Sequence, residues 1–268
     1  MTYYRPKDLD EALTLLERHP DFLLLCGSTD AVLQLEHRPE TGGIIDLHAL
    51  EGLRAIEKNG DVVRIGALVT VNDLLHSDEV QRHLPLLAAC AEHFGSHQIR
   101  NLATVGGNIA NASPAADLVA VLVALGASVT LGSCSGKRTL PLEELFCGYK
   151  CTKLSHEIIL GVTVPLEEHQ WYYRKAGARE RLNITKVSIA VVKTGSAYRI
   201  SGASLGPNAV RFRTLEALLE GGDARDDAIK VALEKDTDPT GGHRSTRAYR
   251  HRVAFNMLKE ALARLEAP

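Results

Sequence analysis

A chain of 268 residues, 45% hydrophobic and 24% charged, has the makeup of an ordinary globular protein long enough for two domains. That composition argues against disorder, and a formal net charge of -2 without a basic cluster lacks the electrostatic footprint of a nucleic-acid binder. The start, Met1-Thr2-Tyr3-Tyr4-Arg5-Pro6, has no apolar leader, and no run approaches membrane-spanning length. Five scattered cysteines (Cys26, Cys90, Cys134, Cys147, Cys151) favour a reducing compartment, so a soluble cytoplasmic protein is expected.

Residues 6–18 are apolar at Leu9, Ala12, Leu13, Leu15 and Leu16, the spacing of a helix, with Asp8 as its cap. Residues 22–26 then form a short apolar run that reads as a buried strand. Gly27, Ser28, Thr29 and Asp30 make a turn, and helical spacing resumes from Ala31 to Leu35. A strand that feeds a small-residue turn into a helix N-terminus presents N–H groups to an anion, although an ordinary connection has the same pattern.

Residues 43–47 and 62–66 read as strands joined through Leu50-Glu51-Gly52-Leu53. Thr70 opens a helix running to Leu75, and residues 84–94 form another. His93 and His97 lie four apart, but Gly95 falls between them and no third ligand is near, so no metal site is expected.

The densest stretch is residues 103–117, A-T-V-G-G-N-I-A-N-A-S-P-A-A-D. Its adjacent Gly106 and Gly107 suit positive φ, close approach of a ligand, and a run of free N–H groups able to hold a phosphate. A Gly-Gly-Asn turn explains three of these residues, but not a dozen small ones. Residues 118–125 are too apolar for a surface helix and end at Gly126, which predicts a buried helix starting near Pro114. Asp117 falls in its first turn, where the helix dipole alone would stabilise it.

Residues 128–131 and 137–140 read as a hairpin. Cys147 and Cys151 are too few for an iron–sulfur cluster and are read as packing residues. Residues 157–165 form a strand ended by Pro165. The polar link Glu167-Glu168-His169-Gln170 marks a domain boundary. Beyond it lie strands in residues 171–192 and 198–205, an amphipathic helix over 213–219 closed by Gly221-Gly222, and a long terminal helix over 245–265 capped by Ser245.

The string from Ile99 to Asp117 resembles the second FAD-binding segment of the medium, flavin-carrying subunit of the molybdenum hydroxylases, a family that includes xanthine dehydrogenase and carbon-monoxide dehydrogenase. Cys26-Gly27-Ser28-Thr29-Asp30 is similar to the family's first flavin loop, usually Ala-Gly-Gly-Thr-Asp. Two departures stand out. Ser28 replaces the second glycine, so it should hold φ below zero or strain the turn. Cys26 replaces a small alanine and is read as a packing residue.

The resemblance also covers E-I-I-L-G-V-T-V-P, the segment opening at Trp171, and H-R-S-T-R-A-Y-R, and so spans the chain. It implies an α+β fold. Residues 1–166 would be a two-subdomain FAD-binding domain of the PCMH/VAO type. Residues 167–268 would be a smaller domain like the carbon-monoxide dehydrogenase flavoprotein C-terminal domain, with a three-stranded sheet and helices.

The flavin contacts implied are Leu25, Cys26, Gly27, Ser28, Thr29, Asp30 and Ala31 in the first loop, and Ala103, Thr104, Gly106, Gly107, Asn108, Asn111 and Asp117 in the second. Phe94, Ile159 and Lys175 complete the set. Phe94 reads equally well as a core residue, and Lys175 as one charge on a solvated face. FAD is the cofactor implied. The partners implied are a large molybdopterin-binding subunit with the molybdenum cofactor and a small iron–sulfur subunit with 2Fe-2S clusters; NAD+ or another acceptor would take the electrons.

Two other classes stay open. One is a self-contained flavin reductase resembling UDP-N-acetylenolpyruvoylglucosamine reductase, and the other a flavin-less bridging subunit.

Overall fold

The computed structural model describes residues 2–35, 42–179, 184–242 and 244–266. Strands β1 (Thr2–Tyr4), β2 (Leu23–Leu25) and β3 (Gly43–Asp46) make a small parallel sheet in the order β1-β3-β2. Helix α1 (Leu9–Arg18) begins where the Asp8 carboxylate accepts the Glu11 amide at 2.8 Å. Its apolar face buries Ala12, Leu13 and Leu16 in a cluster with Ile45, Leu47 and Leu53. Burial of each such leucine contributes about 1.5–3 kcal/mol. From β2 the chain turns directly into the short α2 (Ala31–Leu35).

A second sheet grows from hairpins. Strands β4 (Ile56–Asn59) and β5 (Val62–Gly66) form one, β6 (Ser128–Ser133) and β7 (Gly136–Pro141) another. The tight pair β8 (Phe146–Gly148) and β9 (Cys151–Thr152) follows apart from the sheet. Strand β10 (Ile158–Pro165) then runs antiparallel between β5 and β6 and closes the order β4-β5-β10-β6-β7. Six helices accompany this sheet: α3 (Val71–His76), α4 (Asp78–His83), α5 (Pro85–Glu92), α6 (His97–Leu102), α7 (Val105–Ala110) and α8 (Asp117–Ala124).

The C-terminal part is an antiparallel sheet of β11 (Gln170–Ala176), β12 (Val187–Thr194), β13 (Ala197–Ala203) and a two-residue edge strand β14 (Val210–Arg211). These are the three long strands expected, with a short fourth added. Helices α9 (Arg213–Glu220), α10 (Asp226–Asp236) and α11 (Arg247–Leu265) pack here, with α9 on β13 and α11 on β11 and β12.

Helix α8 packs against β12, β13 and α5, and every one of its residues is buried. Its all-round apolar character follows from that position.

Three expectations shift. Helix α8 starts at Asp117 rather than near Pro114. The cap of α11 is Thr246, which accepts the Tyr249 amide, while Ser245 accepts from Arg250 Nε and bridges to Gly242. Strands β1, β4, β8, β9 and β14 and helices α4, α6, α7 and α10 are elements that the sequence did not announce. Among the described residues no helix is long and apolar enough to cross a membrane.

Candidate functional site

Two loops meet at the end of the parallel sheet. In the first, a Cβ on Gly27 would fall 1.7 Å from the Leu102 carbonyl oxygen. Close backbone packing against the end of α6 therefore demands glycine. Ser28 takes the strained alternative: its φ is +58°, the left-handed region, and its hydroxyl donates to the Cys26 carbonyl at 3.1 Å. The amides of Gly27 and Thr29 have no protein acceptor among the described residues. Burial pushes the Cys26 thiol up to about 11, and the residue packs against the α1 cluster as a neutral side chain.

The second loop departs from the expected anion-binding turn. Gly106 and Gly107 lie inside α7, and neither has positive φ. The amides at its N-terminus are used within the protein. Val105, Gly106 and Asn108 donate to the carbonyls of Val69, Ala67 and Thr104 at 3.0, 2.8 and 2.9 Å, and Gly107 donates to Thr104 Oγ1 at 3.1 Å. Small size matters here because a Cβ on Gly106 would lie 2.7 Å from the Ala67 Cβ. In contrast, Asn108 keeps a buried Oδ1 without a partner.

A cavity of about 720 Å³ opens between these loops, β10 and the C-terminal sheet. It is lined by every residue expected to contact the flavin except Leu25: Cys26 to Ala31, Phe94, Ala103, Thr104, Gly106, Gly107, Asn108, Asn111, Asp117, Ile159 and Lys175. Phe94 lines the cavity and also packs on the main core.

The sequence reading did not single out Tyr149, Lys150, Glu157, Thr185, Arg244 or Arg250, which line the same space. Arg138 donates to both oxygens of Glu157, at 2.6 and 2.8 Å, and holds its carboxyl below the usual carboxylate range.

Asp117 anchors the wall between the two halves of the chain. Its carboxylate accepts from Lys175 Nζ at 2.7 Å, from Thr185 Oγ1 at 2.6 Å and from Ser188 Oγ at 2.9 Å. Lys175 and Ser188 are direct cross-strand partners on β11 and β12, so their side chains share one face and converge on the carboxylate. Lys175 also donates to the His93 carbonyl at the C-cap of α5, and Asp117 opens α8, so each charge meets the helix end that favours it. The Lys175 side chain is only 7% exposed, which removes the solvated-face reading.

Cys147 and Cys151, expected as packing residues, are instead exposed and joined in a disulfide. The register of β8 and β9 pairs Gly148 with Cys151 and brings the two cysteine Cα atoms to 5.3 Å. Cys26, Cys90 and Cys134 remain free thiols.

A 720 Å³ cleft whose walls mix apolar and polar side chains falls in the size range of cofactor sites. The unpartnered Asn108 Oδ1 and the Gly27 and Thr29 amides supply an acceptor and donors for a dinucleotide, and the packing at Gly27 keeps the first loop in place. The residues present fit FAD.

Residues 1–167 match the FAD binding domain in molybdopterin dehydrogenase, and residues 171–265 the CO dehydrogenase flavoprotein C-terminal domain. The chain is 31% identical to the carbon monoxide dehydrogenase medium chain of Hydrogenophaga pseudoflava, over 97% of this chain and 95% of that one. It is 29% identical to the xanthine dehydrogenase FAD-binding subunit of Escherichia coli O157:H7, over 98% and 94%. In structure it superposes on the Hydrogenophaga pseudoflava carbon monoxide dehydrogenase that lacks the Mo-pyranopterin moiety of its molybdenum cofactor. The TM-score there is 0.91 at 31% identity, over 99% of this chain and 96% of that one. The chain belongs to the family of FAD-binding medium subunits of the molybdenum hydroxylases.

Proposed function

We propose that this chain is the electron-transfer subunit of a xanthine dehydrogenase-like assembly in the cytoplasm. Its partners in this reading are a large molybdopterin-binding subunit and a small subunit with 2Fe-2S clusters, and NAD+ or another acceptor receives the electrons. Residues 1–166 form the FAD domain and 167–268 the second domain. The observation that carries the reading is the cavity onto which both loops and the C-terminal sheet converge, with Asn108 Oδ1 buried and unpartnered in its wall.

Bound FAD supplies the redox chemistry, taking up electrons and handing them on to the acceptor. The chain's own residues bind and orient it. Gly27 and Thr29 offer amide donors to the diphosphate, and Asn108 offers an acceptor. Phe94 and Ile159 supply apolar walls that exclude water. Lys175 reaches the cavity already neutralised by Asp117, so it acts on the flavin as a hydrogen-bonding dipole rather than as a lone positive charge.

The test is purification from the native source under gentle conditions, with identification of released flavin and of co-purifying chains. FAD together with a larger and a smaller chain supports the proposal. A yellow chain that purifies alone and turns over substrate would instead establish a self-contained reductase. A colourless intact assembly that takes up no added FAD would establish the bridging subunit.

A further inference from the structure

The hairpin of β8 and β9 projects its two-residue tip, Tyr149-Lys150, toward the cavity, where both residues form part of the lining. Its base is anchored independently of the disulfide. Phe146 is buried, and the Lys153 amide donates to the Leu145 carbonyl at 2.8 Å. The tip has no such anchor: Tyr149 is 65% exposed, and Lys150 holds φ at +49°, where a side chain is unfavourable. What closes the tip is the Cys147–Cys151 bridge, with both cysteines exposed. The chain also carries three free thiols, Cys134 among them at the surface. An exposed disulfide in a chain that otherwise keeps its thiols has the character of an exchangeable pair rather than a permanent staple.

We infer that Cys147 and Cys151 form a thiol–disulfide exchange site, and that its state decides how the Tyr149–Lys150 tip is held against the cofactor cavity. The inference rests on the FAD reading of that cavity.

The reductant is a dithiol, small or protein-borne. Its thiolate attacks one bridge sulfur and forms a mixed disulfide, breaking the Cys147–Cys151 bond. Its second thiolate then attacks the dithiol's own sulfur in that mixed disulfide and expels the cysteine thiolate. The dithiol leaves oxidised to a disulfide, and the chain gains two electrons and two protons as two thiols. Reduction frees the tip while the hairpin base persists. An oxidised dithiol of the same class runs the exchange backwards.

The experiment uses the full chain purified without reductant, with thiols trapped by N-ethylmaleimide at lysis and mapped by mass spectrometry. Cys147 and Cys151 should escape labelling until dithiothreitol is added. Reduction should weaken FAD retention by roughly two- to tenfold, the effect of re-ordering a short loop and its side chains. Cys147→Ser should match the reduced chain and ignore dithiothreitol, whereas Cys134→Ser should keep the response. Tryptic cleavage after Lys150 should be faster once the bridge is reduced.

Labelling of both cysteines without reductant overturns the inference, as does equal FAD retention in the two states. If neither state holds FAD, the proposed function fails. The clasp is then judged by cleavage after Lys150: a faster cut on reduction supports it, and an equal rate overturns it.

Discussion

Replacing Asp117 by asparagine keeps the shape of the side chain and removes the charge that Lys175 faces. Both partners are almost entirely buried, at 5% and 7% exposure, and Nζ to Oδ2 is 2.7 Å. The new amide could still accept from Thr185 and Ser188, but Lys175 would be left as a buried ammonium with only the His93 carbonyl as a close charge-free acceptor. Breaking a buried pair from one side costs about 3–5 kcal/mol, because the surviving charge is uncompensated. Lys175→Met should cost a similar amount by stranding the carboxylate, although its hydroxyl partners lessen the loss.

The double variant removes both charges, and its loss should fall short of the sum by about 2–3 kcal/mol. Urea unfolding of the flavin-free chain measures this, with Trp171, the single tryptophan, as a fluorescent reporter at the start of β11. Working without FAD isolates the structural role of the pair from any contact with the cofactor. A loss below about 1 kcal/mol for Asp117→Asn, or strict additivity in the cycle, would refute the claim that this pair joins the two halves of the chain.

Gly27→Ala drives a Cβ into the Leu102 carbonyl and should weaken FAD binding by about tenfold or more, equivalent to about 1.4 kcal/mol. Gly52→Ala, with nothing within 4 Å, is the control and should leave a flavin fluorescence titration unchanged. At position 28, Ser28→Ala keeps the left-handed strain and loses the hydroxyl bond to Cys26, while Ser28→Gly loses the bond but removes the strain. The glycine variant should therefore be more stable than the alanine by about 1–2 kcal/mol in thermal unfolding. Glu157 is held below its ordinary value of 4.5, first by the hydrogen bonds from Arg138 and then by the Ser155 amide. The folded carboxyl binds its proton less readily than the unfolded one. The stabilisation from Arg138 is thus complete above pH 4.5 and is lost as pH falls through the lower folded value. Unfolding titrations of wild type and Arg138→Met should diverge at neutral pH and converge in acid; a gap that persists undiminished well below pH 4.5 would contradict the assignment.

Much of the site is legible without coordinates because it rests on local patterns. The strand, turn and short helix at residues 22–35 are written in a change of apolar period, and the small-residue string at 103–117 marks the second loop. The reason for the glycines was less accessible. Gly106 and Gly107 are poor helix formers, and only the close approach of Ala67 to Gly106 and of the Thr104 hydroxyl to Gly107 explains why glycine stands inside this helix. The ligands of Asp117 lie 58 to 71 residues away, and their convergence depends on the register of β11 and β12. One signal was present in the sequence: Ser188 is a lone hydroxyl in an otherwise apolar stretch, V-S-I-A-V-V. Spacing alone made Cys147 and Cys151 look like packing residues, since nothing in C-x3-C announces a hairpin.

The central claim is that this chain carries one FAD in the cavity between its two loops. Equilibrium titration of the purified, flavin-free chain with FAD, followed by visible absorbance, tests it most directly. Saturable uptake of one FAD per chain, reduced in Gly27→Ala and in Asn108→Ala but not in Gly52→Ala, is the result expected. Absence of uptake, or uptake indifferent to all three substitutions, would contradict it.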